Sequence, residues 1–167
     1  MRLFDPKIAR NVPRYLLQCL LATLVVFLIM GILNAQENAA VVGSLGASSF
    51  IAFAMPHKKA SGARYLVGGY AIGILFGVLC GQLCGLEVWT RVAVISQQPT
   101  AFFGGMAVGL AILAMVLTDL EHPPAAGVAL GLVLNNCDWH TVGIVFAGIV
   151  LLATAKELLK RYMIDLL

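Results

Sequence analysis

Charge is what this sequence has least of. Asp, Glu, Lys and Arg together make up 11% of it, the mean hydropathy is +0.94, and 60% of the residues are hydrophobic. Soluble domains carry about a quarter charged residues, so a soluble fold is excluded and no nucleic-acid partner is expected. Histidine is also scarce, with three residues. No second histidine or carboxylate set stands at ligand or triad spacing, so neither an enzyme, nor a metal site, nor a cofactor is expected. Cys19, Cys80, Cys84 and Cys137 lie in or beside apolar segments. None has zinc-site spacing, and they read as small buried hydrophobes. No signal peptide is evident, because the first apolar run is too long for an h-region and lacks a small-residue cleavage site. What is present is apolar chain in quantity: 167 residues suit one membrane bundle of about six helical elements, in contact with the lipid bilayer.

The chain is organised around Glu121-His122-Pro123-Pro124-Ala125-Ala126-Gly127. Proline breaks a helix interior but suits a first turn, and the residue before it is pushed out of the α region. The spacing predicts that one helix stops near Thr118 and another runs from Pro123 to Leu134. Twelve residues reach about 18 Å at ~1.5 Å per residue, short of the roughly 30 Å hydrocarbon core. A helix N-terminus below the membrane surface is a place to hold an anion.

Residues 1–14 carry Arg2, Lys7, Arg10 and Arg14 and read as an interfacial leader. Tyr15 to Leu33 is a first span, and 34–38 a polar loop. Ala39 to Met55 is apolar but interrupted by Gly43-Ser44-Leu45-Gly46-Ala47-Ser48-Ser49. Two readings of that interruption stay open: close helix packing, or an unwound stretch whose N–H and hydroxyl groups face a ligand. Pro56 to Arg64 is a basic loop. Tyr65 to Leu86 is a span in which Gly69, Gly73, Gly77, Gly81 and Gly85 recur every four residues, a stripe for close helix approach. Trp89 and Arg91 fall in a polar loop, with Trp89 as an interfacial anchor. Ala101 to Leu117 is the next span, Thr141 to Ala155 the last, and 156–167 an amphipathic tail. Thr118-x-x-Glu121 fits a capping box. Asp119 and Glu121 are expected at the membrane surface, and His57 and His140 in loops.

If all six apolar elements cross, ten of the eleven cations fall on one side and only Arg91 on the other. The positive-inside rule then places both termini in the cytoplasm, as in a multi-pass inner-membrane protein. The order long, interrupted, long occurs twice, over 15–86 and 101–155. An offset of 78 sets Ser44 on His122 and Gly46-Ala47 on Pro124-Ala125. The expected fold is therefore an all-α membrane protein, a single domain over 1–167 with two inverted three-helix repeats, the middle helix of each short or broken. Paired interrupted segments of this kind point to a transporter's midplane site.

The anchors Gly46-Ala47-Ser48, then Pro56, Arg64 and Gly68-Gly69, and finally His122-Pro123-Pro124-Ala125 with Gly127, Ala129 and Leu130, resemble those of the HPP family of integral membrane proteins. Many members have a proline where this chain has Ala63 and a histidine where it has Tyr70. The family is usually described with four spans, and chloroplast and cyanobacterial members are associated with nitrite transport. The resemblance implies a transporter or channel for a small inorganic anion, nitrite first. The residues expected to bind it are Gly46, Ala47, Ser48, Ser49, His122, Pro123, Pro124, Ala125, Ala126 and Gly127, through N–H and hydroxyl groups at two helix N-termini. Two readings of His122 stay open, a ring N–H donor with a route to proton coupling or a plain helix cap. A non-transporting scaffold or subunit of a larger complex is the alternative function. A homo-oligomer, a dimer, is expected through the glycine faces.

Overall fold

The computed structural model describes residues 8–33, 39–86, 98–135 and 138–167. The residues before Ile8, the 34–38 loop, the segment with Trp89 and Arg91, and Cys137 lie outside it. All described regular elements are helices: α1 (Ile8–Leu33), α2 (Ala39–Ala54), α3 (Ala63–Cys84), α4 (Pro99–Leu117), α5 (Pro123–Leu134) and α6 (Trp139–Leu159), with 3-10 turns at Lys59–Ser61 and Lys160–Tyr162. Stretches within α1, α3, α4 and α6 are long and apolar enough to cross a membrane; those of α2 and α5 are shorter. A four-span description and a six-helix chain are thus the same object, counted with and without its two short helices.

The helices alternate in direction. Gln18 near the start of α1 donates to the carbonyls of Phe53, at the end of α2, and Ile164, beyond α6. Leu166 N–H donates to the Ala54 carbonyl. Lys59, before α3, pairs with Asp119, between α4 and α5. Each helix therefore has one end at a common face. Arg14, Lys58, Lys59, Arg64, Lys156, Lys160 and Arg161, all the cations whose side chains are described, gather there.

Short α5 is the centre of the bundle, packed against α3 and α4 and, less extensively, α2. The glycine stripe makes this possible. A Cβ at Gly73 would lie 2.3 Å from the Ala125 carbonyl oxygen, one at Gly69 2.5 Å from the His122 Cβ, and one at Gly77 3.0 Å from the Ala129 Cα. At Gly69, Gly73 and Gly77 the stripe is thus occupied inside the chain, by α5 and the His122 segment. Among described residues, Gly105 and Gly109 on α4 meet nothing within 4 Å.

Three expectations need correction. Of the two readings of 43–49, close packing holds and unwinding does not: α2 runs through the stretch unbroken, and the Ser49 hydroxyl bonds back to the Leu45 and Gly46 carbonyls. Second, Thr118 and Glu121 do not box the start of α5, whose N-cap is His122, and α4 is not ended by the prolines. Asp119, at φ 52°, sits in the left-handed region, Leu120 N–H donates to the Met115 carbonyl at 2.9 Å, and Asp119 N–H reaches the Val116 carbonyl at 3.4 Å. This is a Schellman closure with aspartate in the usual glycine position, and the Thr118 hydroxyl turns back to the Ala114 carbonyl. Third, α6 starts at Trp139, so His140 is in its first turn, and continues through Lys156 to Leu159. The chain then folds back under α1 and α2.

Gln18 carries that return. Beyond its two donated bonds, its Oε1 accepts from Ile164 N–H at 3.0 Å. Gln18→Leu leaves buried backbone groups unpaired, at about 1–3 kcal/mol for each group. The expected result is faster hydrogen exchange at the Ile164 and Leu166 amides, with the α3–α5 amides unchanged.

Candidate functional site

A polar cluster lies where α2, α3 and the start of α5 meet. The Ser48 hydroxyl is 2.9 Å from the Tyr70 hydroxyl and 2.8 Å from His122 Nε2. The Tyr70 and His122 ring centroids are 5.7 Å apart. All three residues are fully buried among apolar side chains. Ser48 is six residues from the end of α2 and Tyr70 seven from the start of α3, so the cluster is about 10 Å inside the cation-rich face at ~1.5 Å per residue.

Local sequence places each member. His122 is the N-cap of α5, held in extended conformation before Pro123, and its side chain makes no capping bond. The ring turns into the bundle instead, because Gly69 has no side chain to block it. Leu120 packs its side chain over Gly68 in the same way. Tyr70 then stands beside the paired glycines, facing the histidine they admit. Ser48 lies on the face of α2 that meets α5. Ser44, one turn back on that face, lies 3.3 Å from where a Cβ at Gly127 would stand.

The cluster is hydrogen-bonded at one end and unpaired at the other. His122 Nδ1 is buried without a hydrogen-bond partner, and no other described buried side-chain nitrogen or oxygen lacks one. The Ala60 backbone lies beside the ring, outside hydrogen-bond distance or angle from Nδ1. A groove of about 310 Å³ lined by Ile112, Met115, Val116, Glu121, Pro123 and Ala126 also reaches His122.

Of the expected site residues, Ser48 and His122 are brought together. Gly46, Ala47 and Ser49 are interior residues of α2, so their N–H groups belong to its ladder. Gly46 and Ser49 line a separate apolar cleft of about 510 Å³ between α1 and α2. The two helix N-termini do not converge, since α2 and α5 run antiparallel side by side and start at opposite ends. Nor does α5 offer the free donors a helix start normally has: Pro123 and Pro124 have no N–H, the Ala125 N–H donates to the His122 carbonyl at 2.9 Å, and Ala126 and Gly127 continue the helix. Tyr70 joins Ser48 and His122, a site residue signalled in the sequence only by its hydroxyl beside the paired glycines.

Above the cluster, Lys59 Nζ pairs with the Asp119 carboxylate, which also accepts from the Tyr65 hydroxyl at 3.3 Å. The lysine holds the Asp119 carboxyl below the usual range, and the carboxylate holds Lys59 above its own. The aspartate term is therefore present above the ordinary Asp value of about 3.9 and is lost as pH falls through the lowered one. The lysine term is present below about 10.4 and is lost as pH rises through the raised one. Relative to Asp119→Asn, which tolerates the same left-handed backbone, the wild type should melt slightly higher across neutral pH. The gap should close toward both extremes and in high salt, in thermal scans in detergent.

Neither a curated protein nor a solved structure matches the chain. A family model, "HPP, transmembrane region", matches residues 8–163. With the His122-Pro123-Pro124 turn opening α5 and the paired glycines seating it on α3, that match over nearly the whole length settles the family: the chain belongs to the HPP family of integral membrane proteins.

Proposed function

We propose that the chain is a membrane transporter for a small monovalent anion, nitrite first, with the Ser48–Tyr70–His122 cluster in its path. One observation carries the reading: a buried hydrogen-bonded polar cluster, with a spare histidine nitrogen, inside an apolar bundle. Ionisable groups at membrane depth are costly and mark substrate or proton pathways. The nitrite preference rests on family resemblance alone.

Energetics favour a transporter over an open pore. The cluster has no exposed surface, so the structure corresponds to a closed state. Stripping an ion of water costs of order 20 kcal/mol in the idealised limit. Hydrogen bonds to a charged group return about 1.5–3 kcal/mol each, and a helix dipole about 0.3–1 kcal/mol. An anion reaching Ser48 must therefore keep part of its water or have its charge balanced there. α1 lies against α2 and α6 as α4 lies against α5 and α3, while α2–α5 and α3–α6 pair across the halves. Those pairings match as an inverted repeat would match them, whereas α3–α5, the most extensive pair, far exceeds its counterpart α2–α6. The cation-rich face fits the cytoplasmic side by the positive-inside rule.

The test is flux in liposomes with nitrite, nitrate, formate and chloride under both polarities. Protein-dependent nitrite movement that falls at least about tenfold in Ser48→Ala is expected, as for loss of a hydrogen bond to a charged group. If wild-type protein moves none of the four, the proposal is wrong.

A further inference from the structure

Resting on the transport reading, we infer that the cluster carries its anion together with one proton, held at His122 Nδ1, so that each transfer is electrically neutral.

The argument begins with what surrounds the ring. α2 presents the Ser48 hydroxyl, α3 the Tyr70 hydroxyl, the 59–61 turn the Ala60 backbone, and α4 apolar groove wall. On its own segment Glu121 is exposed at the groove rim. Lys59 and Asp119 pair with each other in the loops above. Lys156 on α6, the one fully buried cation among the described residues, gives its Nζ to Glu157 at 2.7 Å. Among the described residues, no carboxylate pairs with the ring and no cation faces the cluster as a fixed counter-charge for an anion. The α5 N-terminus, stripped of donors by Pro123 and Pro124, supplies none either. A charge that arrives with the substrate must meet this need, and among the described residues His122 is the group placed to accept a proton.

The geometry permits it without rearrangement. In the tautomer whose Nε2–H donates to Ser48, Nδ1 carries a lone pair, and the Ser48 bond survives protonation because both nitrogens donate in imidazolium. The step is balanced. A proton from water at the cation-rich face forms an N–H bond at Nδ1, and the anion accepts hydrogen bonds from that N–H and the neighbouring hydroxyls. On release that N–H bond breaks, and the proton leaves to water on the other side with the anion.

The experiment uses the full chain in liposomes, with nitrite as probe. Initial rates are taken above protein-free vesicles, with membrane potential clamped by potassium and valinomycin. Under a fixed pH gradient the rate should be the same at zero and at roughly −100 mV, where an uncompensated anion would feel up to about a fifty-fold change. It should rise toward about tenfold per unit of acidification on the entry side, as a one-proton step requires. His122→Gln keeps an amide that can bond Ser48 but cannot take a proton, and should lose the pH dependence. Tyr70→Phe leaves Nδ1 untouched and should keep it at a lower rate. Rates that follow potential and ignore pH, or a His122→Gln variant that remains pH-driven, overturn the coupling while leaving transport standing. Wild-type protein that moves no nitrite under any gradient removes both. If neither variant is monodisperse in detergent, the wild-type potential clamp alone decides.

Discussion

Gly73→Ala should be the most damaging single methyl group in this chain. Its Cβ would stand 2.3 Å from the Ala125 carbonyl oxygen and 3.1 Å from the carbonyl carbon. Both are backbone atoms of α5, so no side-chain rotation relieves the clash, and α3 and α5 must move apart. Overpacking costs about 1–3 kcal/mol where side chains can shift, and here the upper end or beyond is expected, from a total stability of only 5–15 kcal/mol in typical folds. The clash falls one turn below His122, so the separation would also draw Tyr70 away from the imidazole. The variant should lose its sharp thermal transition in detergent and its flux together. Gly105→Ala is the control: its Cβ meets nothing within 4 Å, and it should melt like wild type. A Gly73→Ala protein melting within a degree of wild type would mean that α3 and α5 do not approach this closely.

That contact also shows why part of the fold is legible in the sequence. Glycines every four residues on a span mean close approach of another helix whatever the partner, and Pro-Pro marks a helix start whatever surrounds it. The limits of α5, the stripe of α3 and the side on which the cations gather follow from such local rules. The 43–49 stretch of α2 does not. Glycine and serine weaken a helix in water, but at membrane depth the backbone has no other partner than itself, and the small side chains are needed where Ser44 meets Gly127. Reading that stretch as a break put a second anion-binding helix start at the cluster, where the structure has the middle of a helix. Asp119 escaped notice as the terminator of α4 because aspartate adopts the left-handed region less often than glycine. Ser48 and His122 were legible as polar groups in apolar runs. Tyr70 was not, because a tyrosine in a span reads as apolar bulk until the histidine beside it is seen.

Lys156 raises the same question of a polar group misread as an edge, and here the answer is measurable. It stands where an apolar span gives way to a basic tail, yet its side chain is fully buried and its Nζ is 2.7 Å from the Glu157 carboxylate, which is 45% exposed. The pair is therefore dry on one side and wet on the other. A buried ion pair returns less than its desolvation cost unless its geometry is excellent, and apolar replacement of similar volume is often neutral or stabilising, by as much as about 1–4 kcal/mol. Lys156→Met keeps the volume and leaves Glu157 in contact with water, so it should melt no lower than wild type. Lys156→Ala removes the stem as well, and the resulting void should cost about 2–4 kcal/mol, in the range of large-to-small core changes. Opposite outcomes at one position separate packing from charge. If Lys156→Met falls as far as Lys156→Ala, the ammonium itself is required, and α6 supplies the bundle with a fixed positive charge that the proton-coupled scheme does without.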